Sequence, residues 1–211
     1  MLQAGLHNSR QAFVRITEVS PRDGLQHESE FVPTLRKIAL INALSRTGVT
    51  EIEAGSFVSP AAIPQLADSD EVLRAIDRIP GVTYSALVPN ERGLERARAA
   101  GVDKIAVFTA ASNSFTRHNI KATVQESLVR FRPIVAAAKR DGMAVRAYLS
   151  TVVFCPYEGR IAPTQVRDVM ERLLDLAVDD ISLGETVGKA SPTDIRRLLD
   201  TVLPHVEPAR L

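Results

Sequence analysis

The sequence predicts an α/β fold, a TIM-type (β/α)8 barrel that is incomplete, with about six of the eight strand–helix units present. Two observations predict it. Short β-branched or apolar runs alternate with longer stretches of helical period, which argues for a parallel sheet. Polar residues recur where these runs end: Arg22, Asp23, Glu53, Ser56, Asn90, Asn119, Ser150 and Glu185. A barrel gathers such strand ends around one pocket, whereas a doubly wound open sheet spreads them along a crevice. No Gly-rich phosphate loop follows the first run, which disfavours a dinucleotide fold.

Taken in order, the first strand is expected at Phe13-Val14-Arg15-Ile16, with a helix over 33–47. Between them lies Glu18-Val19-Ser20-Pro21-Arg22-Asp23-Gly24-Leu25-Gln26. Pro21 stiffens this turn, and Gly24 is expected to take φ > 0. Arg22 and Asp23 are adjacent, so in an extended segment they point apart and need different partners. The second strand is Thr50–Ala54, carrying Glu53, with a helix over 68–78. The third is Thr83–Val88, followed by a helix over 91–100 that Gly101 closes. The fourth, Lys104–Phe108, opens into a polar loop over 109–119. The next helix carries Val124, Leu128, Phe131 and Val135 as an apolar stripe. The fifth strand, Ala144–Val152, sets Arg146, Tyr148 and Ser150 on one face, and a loop over 154–159 follows. Val166, Val169 and Leu173 mark another helix, and Asp180–Leu183 the sixth strand. Ser191-Pro192-Thr193-Asp194 reads as a helix start, with Ser as N-cap, Pro first and an acid third. Residues 1–12 read as an N-terminal extension and 13–211 as a partial barrel lacking its last two units.

Composition narrows the function. The chain has 211 residues, 45% hydrophobic and 24% charged, with net charge +1. No basic block argues for nucleic acid or for an anionic membrane surface, and no apolar run is long enough to span a bilayer. The absence of Trp and the few aromatic residues argue against a base-stacking platform. A single cysteine, Cys155, excludes an internal disulfide framework, and a reducing cytoplasm is the simplest compartment. Cys155 reads as packing rather than as a nucleophile, since no base stands near it in the sequence.

Asp23 and Glu53 end neighbouring parallel strands, and paired carboxylates suit Mg2+ or Mn2+. The competing reading is a repulsive pair that one arginine neutralises. None of the four histidines, His7, His27, His118 and His205, sits at a strand end in a ligand spacing. Tyr148 and Ser150 face inward, toward a substrate or as ordinary polar filling. The stretch from Ser112-Asn113-Ser114 through Asn119 is a candidate lid or substrate-binding element, or else a solvated connection.

Five ordered motifs carry a resemblance: Val-Ser-Pro-Arg-Asp-Gly-Leu-Gln (19–26), Ile-Glu-Ala-Gly-Ser-Phe-Val-Ser-Pro (52–60), Phe-Thr-Ala-Ala-Ser-Asn-Ser-Phe (108–115), Cys-Pro-Tyr-Glu-Gly (155–159) and Ile-Ser-Leu-Gly-Glu-Thr-Val-Gly (181–188). Together they resemble the hydroxymethylglutaryl-CoA lyase family, within the metal-dependent aldol and Claisen barrel enzymes. The resemblance implies a divalent metal, Mg2+ or Mn2+, and cleavage of 3-hydroxy-3-methylglutaryl-CoA to acetyl-CoA and acetoacetate, in leucine degradation. It implies Asp23 as metal ligand, Glu53 beside the metal, and Arg22 as the group that stabilises the enolate. Gln26, Ser56, Asn119 and Tyr148 would line the pocket for an acyl-CoA substrate. Related synthases (isopropylmalate or homocitrate) remain an alternative, although Pro21 before Arg22 is similar to the lyase branch. Two departures stand out. Glu185 occupies a position where the family usually has Asp. The family's two histidine ligands, an asparagine ligand and a reactive cysteine follow the sixth unit, so the sequence is expected to be C-terminally truncated and inactive alone, or a non-catalytic remnant. Open first and sixth strands also lead us to expect a homo-oligomer.

Overall fold

The computed structural model describes residues 14–211. Six strands form one parallel sheet in strict sequence order: β1 (Thr17–Glu18), β2 (Glu51–Ser56), β3 (Thr83–Leu87), β4 (Lys104–Ala110), β5 (Ala144–Ser150) and β8 (Asp180–Gly184). An order without reversal is the winding of a barrel, because a doubly wound sheet changes direction at a switch point. The sheet is a half-barrel. Helices cover the outer face of its strands and bury the residues that point toward them. All six residues of β2 are buried. In β5, Val145, Ala147 and Leu149 are fully buried, and Arg146, Tyr148 and Ser150 share the other face, as the alternation predicts.

The covering helices are α1 (Thr34–Leu44), α2 (Ser69–Ala75), α3 (Glu91–Ala99), α5 (Val124–Arg140), α6 (Pro163–Leu174) and α7 (Pro192–Val202). The predicted stripe of Val124, Leu128, Phe131 and Val135 is buried in α5, and Val166, Val169 and Leu173 are buried in α6. Ser191 caps α7 by accepting the Asp194 N–H, and Asp194 accepts the Ser191 N–H in return. Gly101 takes φ +70° at the end of α3. Among the described residues no helix is long and apolar enough to cross a membrane.

Four expectations are corrected. The first strand is Thr17–Glu18, not 13–16. Phe13 lies outside the described residues, as do the extension over 1–12 and His7. Thr17 and Glu18 pair with Glu51 and Ile52, whereas Val14 and Ile16 project outward, 76% and 64% exposed. The turn at Ser20–Gly24 is a single π-helical turn, so Gly24 does not take a positive φ. The loop over 109–119 contains a helix, α4 (Asn113–Ile120), capped by Ser112, which accepts the Phe115 N–H at 3.0 Å. The loop over 154–159 contains a small antiparallel hairpin, β6 (Phe154–Cys155) with β7 (Gly159–Arg160).

Candidate active site

The site grows from the π-helical turn that follows β1. Pro21 stands in its first positions, where a missing N–H costs nothing. The turn brings Arg22 and Asp23 onto one side, so they are partners rather than opposed: Arg22 Nη1 donates to Asp23 Oδ1 at 2.7 Å. Helical rather than extended backbone is the reason the alternation argument fails here. Arg22 Nε donates to Glu53 Oε1. Glu53 itself sits just before a register shift in β2 at Gly55. A Cβ at Gly55 would stand 2.9 Å from Ser69 Oγ, so the irregular backbone there needs glycine.

Glu53 is 1% exposed, and both its oxygens are engaged. Tyr148 OH donates to Glu53 Oε2 at 2.6 Å, and the Arg22 guanidinium carbon lies 5.3 Å from the Tyr148 ring centre. Burial pushes the Tyr148 phenol well above its ordinary value, and the Glu53 charge pushes it further. Tyr148 is therefore a permanent donor here. Burial works against the Arg22 charge, but Glu53 and Asp23 outweigh it and hold the guanidinium ionised. A buried cation is thus aimed by one fully occupied carboxylate and one half-exposed carboxylate.

The other predicted residues are placed unequally. Gln26 is half-buried, and its Oε1 is buried without a partner among the described residues. Ser56 is 1% exposed, and its Oγ accepts the Val58 N–H, so it shapes the turn after β2. Asn119 is exposed in the last turn of α4, and among the described residues no hydrogen bond ties it to Arg22, Glu53 or Tyr148. Glu185 Oε2 accepts the Gly188 N–H, while its Oε1 is buried and unpartnered among the described residues. Cys155 is buried and its Sγ lies 3.0 Å from Ser112 Oγ, tying the hairpin to the cap of α4. His118 stacks on Tyr157 at 4.1 Å, and His205 pairs with Glu171 at 2.7 Å.

Metal ligation divides the two carboxylates. Nothing among the described residues donates to Asp23 Oδ2, and the side chain is 50% exposed, so Asp23 fits as an oxygen ligand to a hard cation. Glu53 has no free oxygen and does not fit as a direct ligand. Among the described residues no three His, Cys, Asp or Glu side chains cluster closely enough to enclose an ion.

A second polar layer lies at the opposite end of the strands and was missed in the sequence. Lys104 Nζ reaches Asp180 Oδ2 at 2.6 Å and Glu51 Oε2 at 3.0 Å. Arg146 Nη1 lies 3.2 Å from Glu51 Oε1, and Arg146 Nε donates to Asp180. Arg146 Nη1 also donates to Thr17 Oγ1 at 2.8 Å. The available signal was a charged residue opening three apolar strands, Glu51, Lys104 and Asp180. Parallel strands covered by helices bury such charges only in pairs.

The HMGL-like family matches residues 13–210. A mitochondrial hydroxymethylglutaryl-CoA lyase of Bos taurus is 48% identical over 193 residues, 92% of this chain and 59% of that protein. A crystal structure of the HMG-CoA lyase from Brucella melitensis superposes with a TM-score of 0.90 at 50% identity, covering 92% of this chain and 69% of that one. An HMG-CoA lyase from Acinetobacter baumannii, solved in complex with coenzyme A and 3-methylmalate, gives 0.89 at 38% identity, covering 93% and 64%. The chain thus spans about three fifths of the length of the curated relatives it matches. Those relatives carry both mitochondrial and cytoplasmic names.

Proposed function

This chain belongs to the HMGL-like family, and from that premise we propose that it carries the Arg22 wall of a carbon–carbon lyase cleaving 3-hydroxy-3-methylglutaryl-CoA to acetyl-CoA and acetoacetate. The observation that carries this reading is the Arg22 guanidinium, buried at the strand mouth and fixed between Glu53 and Asp23. Cleavage of the C–C bond leaves an enolate on the departing acetyl group. A preorganised cation beside that oxygen lowers the barrier without reorganisation during the reaction. Glu53 acts through Arg22 by fixing its orientation, and Tyr148 fixes Glu53. Gln26 Oε1, without a partner among the described residues, offers an acceptor to a substrate donor. Ser56 supports the adjoining turn, and Asn119 contributes from the rim.

Enzymes of this family are divalent-metal dependent. In this chain Asp23 would hold the ion, Mg2+ or Mn2+, whose chemistry is to polarise a substrate oxygen. With Asp23 as the exposed carboxylate beside Arg22, the 211 residues alone bind the metal weakly and do not turn over. The outer edges of β1 and β8, unpaired among the described residues, favour pairing with further strands, including those of a second copy, and the lone buried Cys155 suits a reducing cytoplasm.

Calorimetric titration of 3-hydroxy-3-methylglutaryl-CoA with Mn2+ present tests the proposal. Binding is expected for the native chain and its loss in Arg22→Met. Native protein that ignores the thioester refutes the lyase reading. Acetoacetate released as fast as by the bovine relative refutes the weak-metal part alone.

A further inference from the structure

We propose that Thr151 and Thr186 form a clamp that positions Glu185 at the strand mouth; only the ligand used to test it rests on the lyase reading above. Thr151 is fully buried and has φ +57°, in the left-handed region. A β-branched residue there is an outlier, and such backbone persists only where its surroundings over-determine it. The surroundings here do so. The Thr151 hydroxyl donates to the Ser150 carbonyl at 2.7 Å. The Thr151 N–H donates to Thr186 Oγ1 at 2.9 Å, and the next amide, Val152 N–H, donates to the Gly184 carbonyl at 3.2 Å. Two successive amides after β5 thus hold the residues on either side of Glu185.

The clamp fixes the backbone of Glu185, and the Gly188 N–H fixes one carboxylate oxygen. The other oxygen, Oε1, is buried and has no partner among the described residues. A buried acceptor left open at a preorganised turn is suited to a ligand's hydrogen-bond donor. The strain at Thr151 therefore serves to aim Glu185, and Thr151 and Thr186 are positioning residues.

Thr186 is exposed, so Thr186→Val removes the acceptor without threatening the fold. Its thermal midpoint is expected to fall by roughly 2–4 °C, because the buried Thr151 N–H loses its acceptor. Amide exchange across residues 184–188 is expected to speed roughly tenfold. Affinity for 3-hydroxy-3-methylglutaryl-CoA in the presence of Mg2+ is expected to fall roughly tenfold. Thr186→Ser keeps the oxygen and is expected to restore both. Unchanged exchange in Thr186→Val, or no rescue by serine, overturns the clamp. Faster exchange with unaltered affinity overturns its role in positioning Glu185. If the native chain binds no thioester, the lyase reading fails, and exchange with its serine rescue still decides the clamp.

Discussion

Two carboxylates and a phenol converge on Arg22, and their chemistry explains why the phenol matters. Glu53 is buried with two acceptor oxygens, and Tyr148 satisfies one of them. Tyr148→Phe leaves that oxygen buried and unbonded, which costs about 1–3 kcal/mol. Urea melts are expected to show this as a lower midpoint with an unchanged slope. The pH dependence has a definite sign. The folded phenol titrates above its ordinary 10.0, so its contribution is complete below that value and is lost as pH rises beyond it. The native protein is expected to lose stability from about pH 10 upward, and Tyr148→Phe to lose less over the same range. Tyr148 was legible as an inward residue because strand alternation is local. Its bond to Glu53 was not, because the two lie 95 residues apart. Arg22 and Asp23 were legible as polar residues at a strand end but wrongly read as opposed, because a single π-helical turn leaves no periodic signal.

Elements were legible wherever their signals are local. The α7 start at Ser191-Pro192-Thr193-Asp194 follows from N-cap chemistry alone, and the capping box is present. Hydrogen bonds from Ser191 and Arg160 hold the Asp194 carboxyl well below the usual carboxylate range. Ser191→Ala is expected to cost about 1 kcal/mol, seen as a thermal midpoint lower by roughly 2–4 °C. Helix α4 was illegible for the complementary reason. Of its eight residues only Thr116 is buried, so no apolar stripe marks it. It is held instead by Ser112, by Glu158, which accepts the Ser114 N–H at 2.7 Å, and by stacking of His118 on Tyr157. The last two contacts come from a hairpin some forty residues away, beyond the reach of any periodicity. The first strand was misplaced because Val14 and Ile16 look like strand residues, while pairing with β2 begins only at Thr17.

At the scale of the whole molecule, the half-barrel is bent around charges as much as around its apolar core. Arg146 joins Thr17 of β1 to Asp180 of β8, the two outermost strands of the sheet. Lys104 and Glu51 complete a group of two cations and two anions, so the buried charge sums to zero. Burial alone would raise the Asp180 carboxyl, but hydrogen bonds from Arg146 and Lys104 outweigh it and hold it below its ordinary 3.8. A depressed carboxyl stabilises the fold above its ordinary value, and this contribution is lost as pH falls through the lower folded value. Asp180→Asn is expected to remove that acid-side dependence. Arg146→Met breaks the balance differently, leaving two carboxylates facing one ammonium in a buried layer. Breaking one partner of such a group costs about 3–5 kcal/mol, whereas replacing all its members with well-packed apolar residues is often neutral. Urea melts of Arg146→Met and of a variant with Glu51, Lys104, Arg146 and Asp180 all made apolar therefore separate two roles. If the group only balances itself, the fourfold variant recovers most of the loss. If it also sets the curvature, that variant regains stability yet splays β1 from β8, and the distance between spin labels at Arg15 and Ser182 lengthens.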